Sequence, residues 1–161
     1  MTRSRRFWLM KSEPDVFSID DLRRAARRTT CWDGVRNYQA RNLLRDDIHV
    51  GDGVLFYHSS VDPPGIAGEA VVVHDGYPDF TAFDPNDPHY DPKSDPARPT
   101  WYMVDVQFVR GCKTLITLDR LKAIPALREM LVVRRGVRLS VQPVGSREWD
   151  VITALPEWGV K

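Results

Sequence analysis

Apolar positions along this chain fall into short runs punctuated by glycine, proline and aspartate, and no single spacing dominates. Phe7-Trp8-Leu9-Met10 is rich in aromatics and predicts a buried first strand. Lys11-Ser12-Glu13-Pro14 ends it, because Pro14 lacks an amide hydrogen and biases Glu13 toward extended angles. Ser18 with Asp21 three residues later is a helix-start pattern, and Ile19, Leu22, Ala25 and Ala26 follow at helical spacing, predicting a helix to about Arg28. Leu43-Leu44 closes a second helix, and a glycine turn leads into a strand over 54–59. Pro63-Pro64-Gly65 turns the chain back into an antiparallel strand over 66–73, where Gly68 marks a bulge or close backbone approach. Residues 101–109 alternate, with Tyr102, Val104, Val106 and Phe108 on one face. Short helical pieces follow around Leu118, Leu121 and 127–130, then an edge strand over 137–144, since Pro143 cannot donate to a ladder. A last helix, capped by Ser146, carries Trp149, Ile152 and Leu155.

Short strands mixed with short helices, without regular alternation, predict an α+β domain around a small curled sheet or barrel. The whole of 1–161 is expected to form one domain, with residues 1–6 a flexible basic tail. Between Tyr77 and Pro99 six prolines interleave with aspartates, so neither helix nor central strand survives there. That stretch is expected to be one long ordered excursion, a candidate lid.

Charge changes the picture more than composition does. The net charge of +1 hides a division: residues 1–45 carry 11 Lys and Arg against 5 Asp and Glu, residues 46–105 carry 2 against 12, and residues 106–161 carry 10 against 5. If the first and last thirds share a face, that face is a basic footprint for phosphates; charges scattered for solubility are the alternative. No apolar run approaches the roughly 20 residues that span a bilayer, so no membrane partner is expected. Cys31 and Cys112 form neither a CxxC pair nor a disulfide framework, which suits a reducing cytoplasm. A monomer is the favoured state.

The run from Cys31 to Asn42 packs Trp32, Tyr38, Arg36, Arg41, Asn37, Gln39 and Asn42 around the Asp33-Gly34 turn with almost no apolar stripe. Planar amides, guanidiniums and flat rings are the parts that hold a nucleobase. The same run also suits a capped helix start with solvated arginines. Catalytic templates fail: there is no GxSxG elbow, P-loop or GxGxxG. His49, His58, His74 and His89 sit at no metal-ligand spacing, and the aspartates of 84–95 lack the pattern of a calcium loop and suit turns instead. No catalytic residue, metal or cofactor is therefore expected.

Phe7-Trp8-Leu9-Met10-Lys11-Ser12-Glu13-Pro14, then Trp32-Asp33-Gly34-Val35-Arg36-Asn37-Tyr38-Gln39-Ala40-Arg41-Asn42, then Gly51-Asp52 with Phe56-Tyr57-His58-Ser59, resemble the EVE domain family of the wider PUA-like group. The resemblance continues through Gly65-Ile66-Ala67-Gly68, Asp91-Pro92-Lys93-Ser94, Pro99-Thr100-Trp101 and Arg138-Leu139-Ser140-Val141-Gln142-Pro143-Val144. It implies a PUA-like small β-barrel flanked by short helices, with a pocket for a modified base of DNA or RNA, 5-methylcytosine derivatives being the usual suggestion. Arg3, Arg5 and Arg6 lie outside the pattern. The family's pocket motifs fall on Lys11-Ser12-Glu13, Trp32, Arg36 to Gln39 including Tyr38, Tyr57-His58-Ser59, and Ser140 to Gln142.

Stacking on an aromatic is worth about 1–3 kcal/mol per base, which makes Trp32 and Tyr57 the candidate platforms, with Trp101 in reserve. Ser12, Asn37, Gln39 and Ser140 are candidates to read the base edge, and Lys11, Arg36 and Arg41 to hold phosphates. The expected function is a non-catalytic reader. The alternative is an enzyme acting on a nucleotide or nucleic acid, with Glu13 or His58 as acid or base.

Overall fold

The computed structural model describes residues 4–159. Its strands are β1 Phe7–Ser12, β2 Thr29–Cys31, β3 Gly53–His58, β4 Gly65–Pro78, β5 Tyr102–Thr117 and β6 Val141–Val144. Its α-helices are α1 Ile19–Arg24, α2 Tyr38–Asn42, α3 Leu118–Lys122 and α4 Ser146–Thr153. The strands form one mixed sheet in the order β2-β5-β4-β3-β1-β6. β1 and β3 are parallel and every other pair is antiparallel. The expected barrel is corrected to an open sheet, because β2 and β6 remain as its two edges. Among the described residues no helix is long and apolar enough to cross a membrane.

Parallel neighbours cannot be joined by a tight turn, so residues 13–52 must cross a sheet face between β1 and β3. That crossover carries α1, β2 and α2, and with them the polar run from Cys31 to Asn42. Its apolar residues Ile19, Leu22, Trp32, Val35, Ala40 and Leu44 pack on Trp8, Met10, Val54 and Phe56. The alternate positions Leu9, Leu55 and Tyr57 face the other side and pack under Leu121, Leu127, Met130, Trp149 and Trp158. The strand period of two thus divides the core into two layers with the sheet between them.

Several expected boundaries move for identifiable reasons. β1 runs on through Lys11 and Ser12, which take Tyr57 and His58 as ladder partners. Ser18 and Asp21 form the expected reciprocal cap, but α1 stops at Arg24, and Arg27 and Arg28 take positive φ to turn the chain into β2. Asn37 starts α2 by accepting from the Ala40 amide, and a π-helical turn, Leu43–Asp47, prolongs it. Gly68 sits at a register shift where a Cβ would lie 2.4 Å from Ile19 Cδ1. β6 is an edge strand but begins only at Val141. The last helix is entered through Gly145, whose N–H donates to Glu148 at 2.9 Å, one residue before the expected cap at Ser146.

The proline-rich excursion, expected as a candidate lid, contributes His89 to the wall of a cleft. Asp84, Asp87, Asp91 and Asp95 each accept a backbone N–H two residues on, which spends them on turns. Asp91 N–H donates to Ala82 O within the segment, Asp79 N–H donates to Trp101 O across its base, and Arg41 Nη1 donates to Thr100 O at 2.6 Å at its far end. Of the basic tail, residues 1–3 lie outside the described residues. Its end is anchored: Arg5 Nε donates to Gly51 O at 2.8 Å, and the Arg6 guanidinium lies over the Trp8 ring. The Gly51-Asp52 motif is structural too, since buried Asp52 accepts from Trp8 Nε1 at 2.9 Å.

Candidate functional site

Where β1 ends and the crossover begins, a cleft of about 520 Å³ opens, lined by Lys11, Ser12, Glu13, Phe17, Trp32 and Ser140 among others. Its volume falls in the range of ordinary small-ligand sites. Trp32 is only 7% exposed, with its ring packed edge-on against Phe56 at 5.3 Å, so little of it is left to the cleft. Half-buried Phe17 joins it on the lining, because the Ser12 hydroxyl donates to Phe17 O at 2.6 Å and folds the turn back. Asp33, Gly34, Arg36 and His89 complete another side.

That side is held by one buried carboxylate. Asp79 accepts from Gly34 N–H at 2.8 Å, from Arg36 Nη1 at 3.0 Å and from Thr81 N–H at 2.9 Å. Burial alone would raise its pKa, yet the bonds from Thr81, Gly34 and Arg36 bring it below the usual carboxylate range. Arg36 also donates to His89 O at 2.7 Å, fixing the proline-rich wall.

Several polar groups on the cleft lining have no hydrogen-bond partner among the described residues, among them the exposed Glu13 carboxylate, the Ser140 hydroxyl, the Lys11 ammonium, the Trp32 indole N–H and the buried His89 Nδ1. Asp33 lines the same cleft, its pKa raised first by burial and then by Asp79. The Cys31 thiol is likewise pushed up by burial, with Asp33 and Asp105 adding to it, so it stays protonated and poorly nucleophilic. Burial lowers the pKa of Lys11, which has no carboxylate partner among the described residues.

The structure gathers six of the sequence candidates on this cleft: Lys11, Ser12, Glu13, Trp32, Arg36 and Ser140. The others lie elsewhere. Asn37 is spent as the helix cap, and Gln39 is exposed on α2 away from the lining. Tyr38, 63% exposed, stacks on Trp101 at 5.0 Å, and Arg41 lies over Tyr38. Tyr57 lines a different cavity on the opposite sheet face, because it alternates with Phe56. His58 lines a third hollow, where its Nε2 accepts from Ile19 N–H at 3.1 Å. Ser59 donates its backbone N–H to Ser12 O, and Gln142 is buried and donates to Leu139 O at 2.7 Å. Of the expected phosphate holders, Arg36 donates to Asp79 and His89 O, and Arg41 donates from Nε to Asn42 and from Nη1 to Thr100 O.

Sequence reasoning missed Phe17, Asp79, Thr81 and His89. Phe17 was within reach, standing one residue before a cap where an apolar side chain often packs back. Asp79 gave no local signal beyond another aspartate after proline.

The family model of the EVE domain matches residues 6–155. Thymocyte nuclear protein 1 from Homo sapiens is 47% identical over 167 residues, which cover 93% of this chain and 73% of that protein. A crystal structure of human THYN1 protein in complex with 5-methylcytosine containing DNA aligns with a TM-score of 0.88 at 46% identity, covering 96% of this chain and 99% of that one. A protein from Pseudomonas putida aligns with a TM-score of 0.87 at 48% identity, covering 92% and 97%. The α+β fold is thus PUA-like, and the chain belongs to the EVE domain family.

Proposed function

We propose that this protein binds DNA and reads a modified cytosine of the 5-methylcytosine type, held in the Glu13–Trp32–Ser140 cleft without chemical conversion. The observation that carries this reading is that the unpartnered polar groups of Glu13 and Ser140 share the cleft with the aromatic lining of Phe17 and Trp32. A carboxylate suits the exocyclic amine of cytosine, which thymine lacks, so Glu13 or Asp33 separates the two bases. A base in such a cleft has left its stack, and the rings return part of the stacking energy. The methyl group adds about 0.8 kcal/mol of apolar contact, a discrimination of a few fold unless the fit is tight. That human THYN1 was crystallised with 5-methylcytosine containing DNA supports the same class of ligand.

Two facts favour binding over catalysis. Glu13 and His58 line different hollows, and His58 spends its acceptor nitrogen on Ile19 N–H. The Cys31 thiol is pushed away from its reactive form. The test is equilibrium titration of matched oligonucleotides, DNA and RNA, carrying cytosine, 5-methylcytosine or thymine at one position. We expect 5-methylcytosine DNA to bind tightest and Glu13→Gln to lose at least about tenfold against thymine. Equal affinity for all three bases, unchanged in Glu13→Gln, refutes the reading; tighter binding to the RNA moves the ligand from DNA to RNA.

A further inference from the structure

Lys11 also lines a second cavity, of about 500 Å³, on the sheet face that carries Leu9 and Tyr57. Four cations reach it, Lys11, Lys122, Arg134 and Arg135, and no carboxylate is on its lining. Arg134 is paired with Glu129 at 2.5 Å, whereas Lys122 and Arg135 have no ion pair among the described residues. Like charges around one hollow repel, and Lys11 is half-buried there with its ammonium 5.9 Å from the Tyr57 ring centroid. Tyr57 supplies an independent sign. Its ring is buried but is on the cavity lining, and its hydroxyl keeps access to the hollow and has no hydrogen-bond partner among the described residues. A phenol that opens on a cavity and has no protein acceptor is free to donate to a ligand atom.

We propose that this cavity takes a phosphate group, bound by Lys11, Lys122 and Arg135 and accepting a hydrogen bond from the Tyr57 hydroxyl. Ammonium groups act as point charges on such an anion, a guanidinium presents a donor fork, and a phenol adds a directed donor. The site joins Lys11 from the basic first third of the chain to Lys122 and Arg135 from the basic last third. Because Lys11 borders the cleft as well, a strand with a base in the cleft runs its backbone toward this cavity; that assignment of the phosphate to nucleic acid rests on the function proposed above. A free phosphate compound has the same chemistry.

The test uses the full chain with Lys122→Gln and Arg135→Gln combined, both exposed side chains, and separately Tyr57→Phe. Oligonucleotides with and without 5-methylcytosine are titrated from 50 to 200 mM salt, and inorganic phosphate and a nucleoside monophosphate are titrated calorimetrically. For a backbone phosphate, the double variant loses about tenfold affinity for both oligonucleotides alike, and its log–log salt slope shrinks by about 1–2. Tyr57→Phe loses a smaller factor in the same direction. Binding of inorganic phosphate or the monophosphate that vanishes in the variants, with the oligonucleotide slope unchanged, upholds the site and assigns it to a free phosphate compound. Unchanged oligonucleotide affinity and slope, with no phosphate binding by the wild type, overturns the proposal. If the wild type fails to distinguish the bases while the variant still loses slope, the base-reading function falls and the phosphate site stands.

Discussion

Arg36 donates to the buried carboxylate of Asp79 at 3.0 Å, and through that contact two segments 43 residues apart close one side of the cleft. Removing either partner strands the other's charge. Asp79→Asn keeps the shape but leaves the Arg36 guanidinium uncompensated, at a cost of about 3 kcal/mol. Urea denaturation followed by tryptophan fluorescence checks it, and a loss below about 1 kcal/mol contradicts the structural role assigned here.

The same carboxylate sets an acid limb. Its folded pKa lies below the unfolded value of about 3.9, so its contribution is fully present above that pH and is lost as pH falls through the folded value. Asp33, whose pKa is raised by burial, works in the opposite sense, since it is the protonated form that folding favours. Between pH 5 and pH 2, stability should fall with pH in the wild type and fall less steeply in Asp79→Asn. Parallel curves for the two proteins would exclude Asp79 as a source of the acid limb.

Asn37 separates two roles that a sequence cannot distinguish. Its Oδ1 accepts from Ala40 N–H at 2.9 Å, so Asn37→Ala should cost about 1 kcal/mol in stability and leave the preference among bases intact. Asn37→Asp should restore the stability. Loss of base preference in Asn37→Ala without loss of stability would return the amide to the reading site.

What was legible followed the chain's local periods. The apolar runs at Phe7–Ser12 and Gly53–His58 are strands as expected, and Ser18 with Asp21 marks a real cap. The open sheet was not legible, because closure depends on whether β2 and β6 meet, and nothing local to either strand decides that. Lys11 to Glu13 and Trp32 share a cleft because the end of β1 and the crossover meet there. Tyr57 is placed apart from Trp32 because Phe56 touches that ring and its strand neighbour faces away, a contact that only the fold reveals. The bond from Arg36 to Asp79 was not legible either, because the carboxylate lies far along the chain. Polar side chains advertise bonding capacity, while only the fold decides whether protein or ligand takes it.

Gly34 tests whether the geometry of the proline-rich wall matters to binding. Its φ is +78°, and a Cβ there would lie 2.5 Å from Nε2 of His89, whose carbonyl is pinned by Arg36. Gly34→Ala should therefore pay twice, about 1–2 kcal/mol for the left-handed backbone and a further cost for displacing the imidazole. Gly51→Ala is the matched control, since φ is +93° and nothing lies within 4 Å of its Cβ position, so it pays for backbone alone. Both variants should melt below the wild type, Gly34→Ala further. Only Gly34→Ala should also weaken binding of 5-methylcytosine DNA, because only its added methyl pushes on a residue of the cleft. Equal binding by both variants at a temperature where both are folded would mean that the position of His89 is immaterial to the ligand.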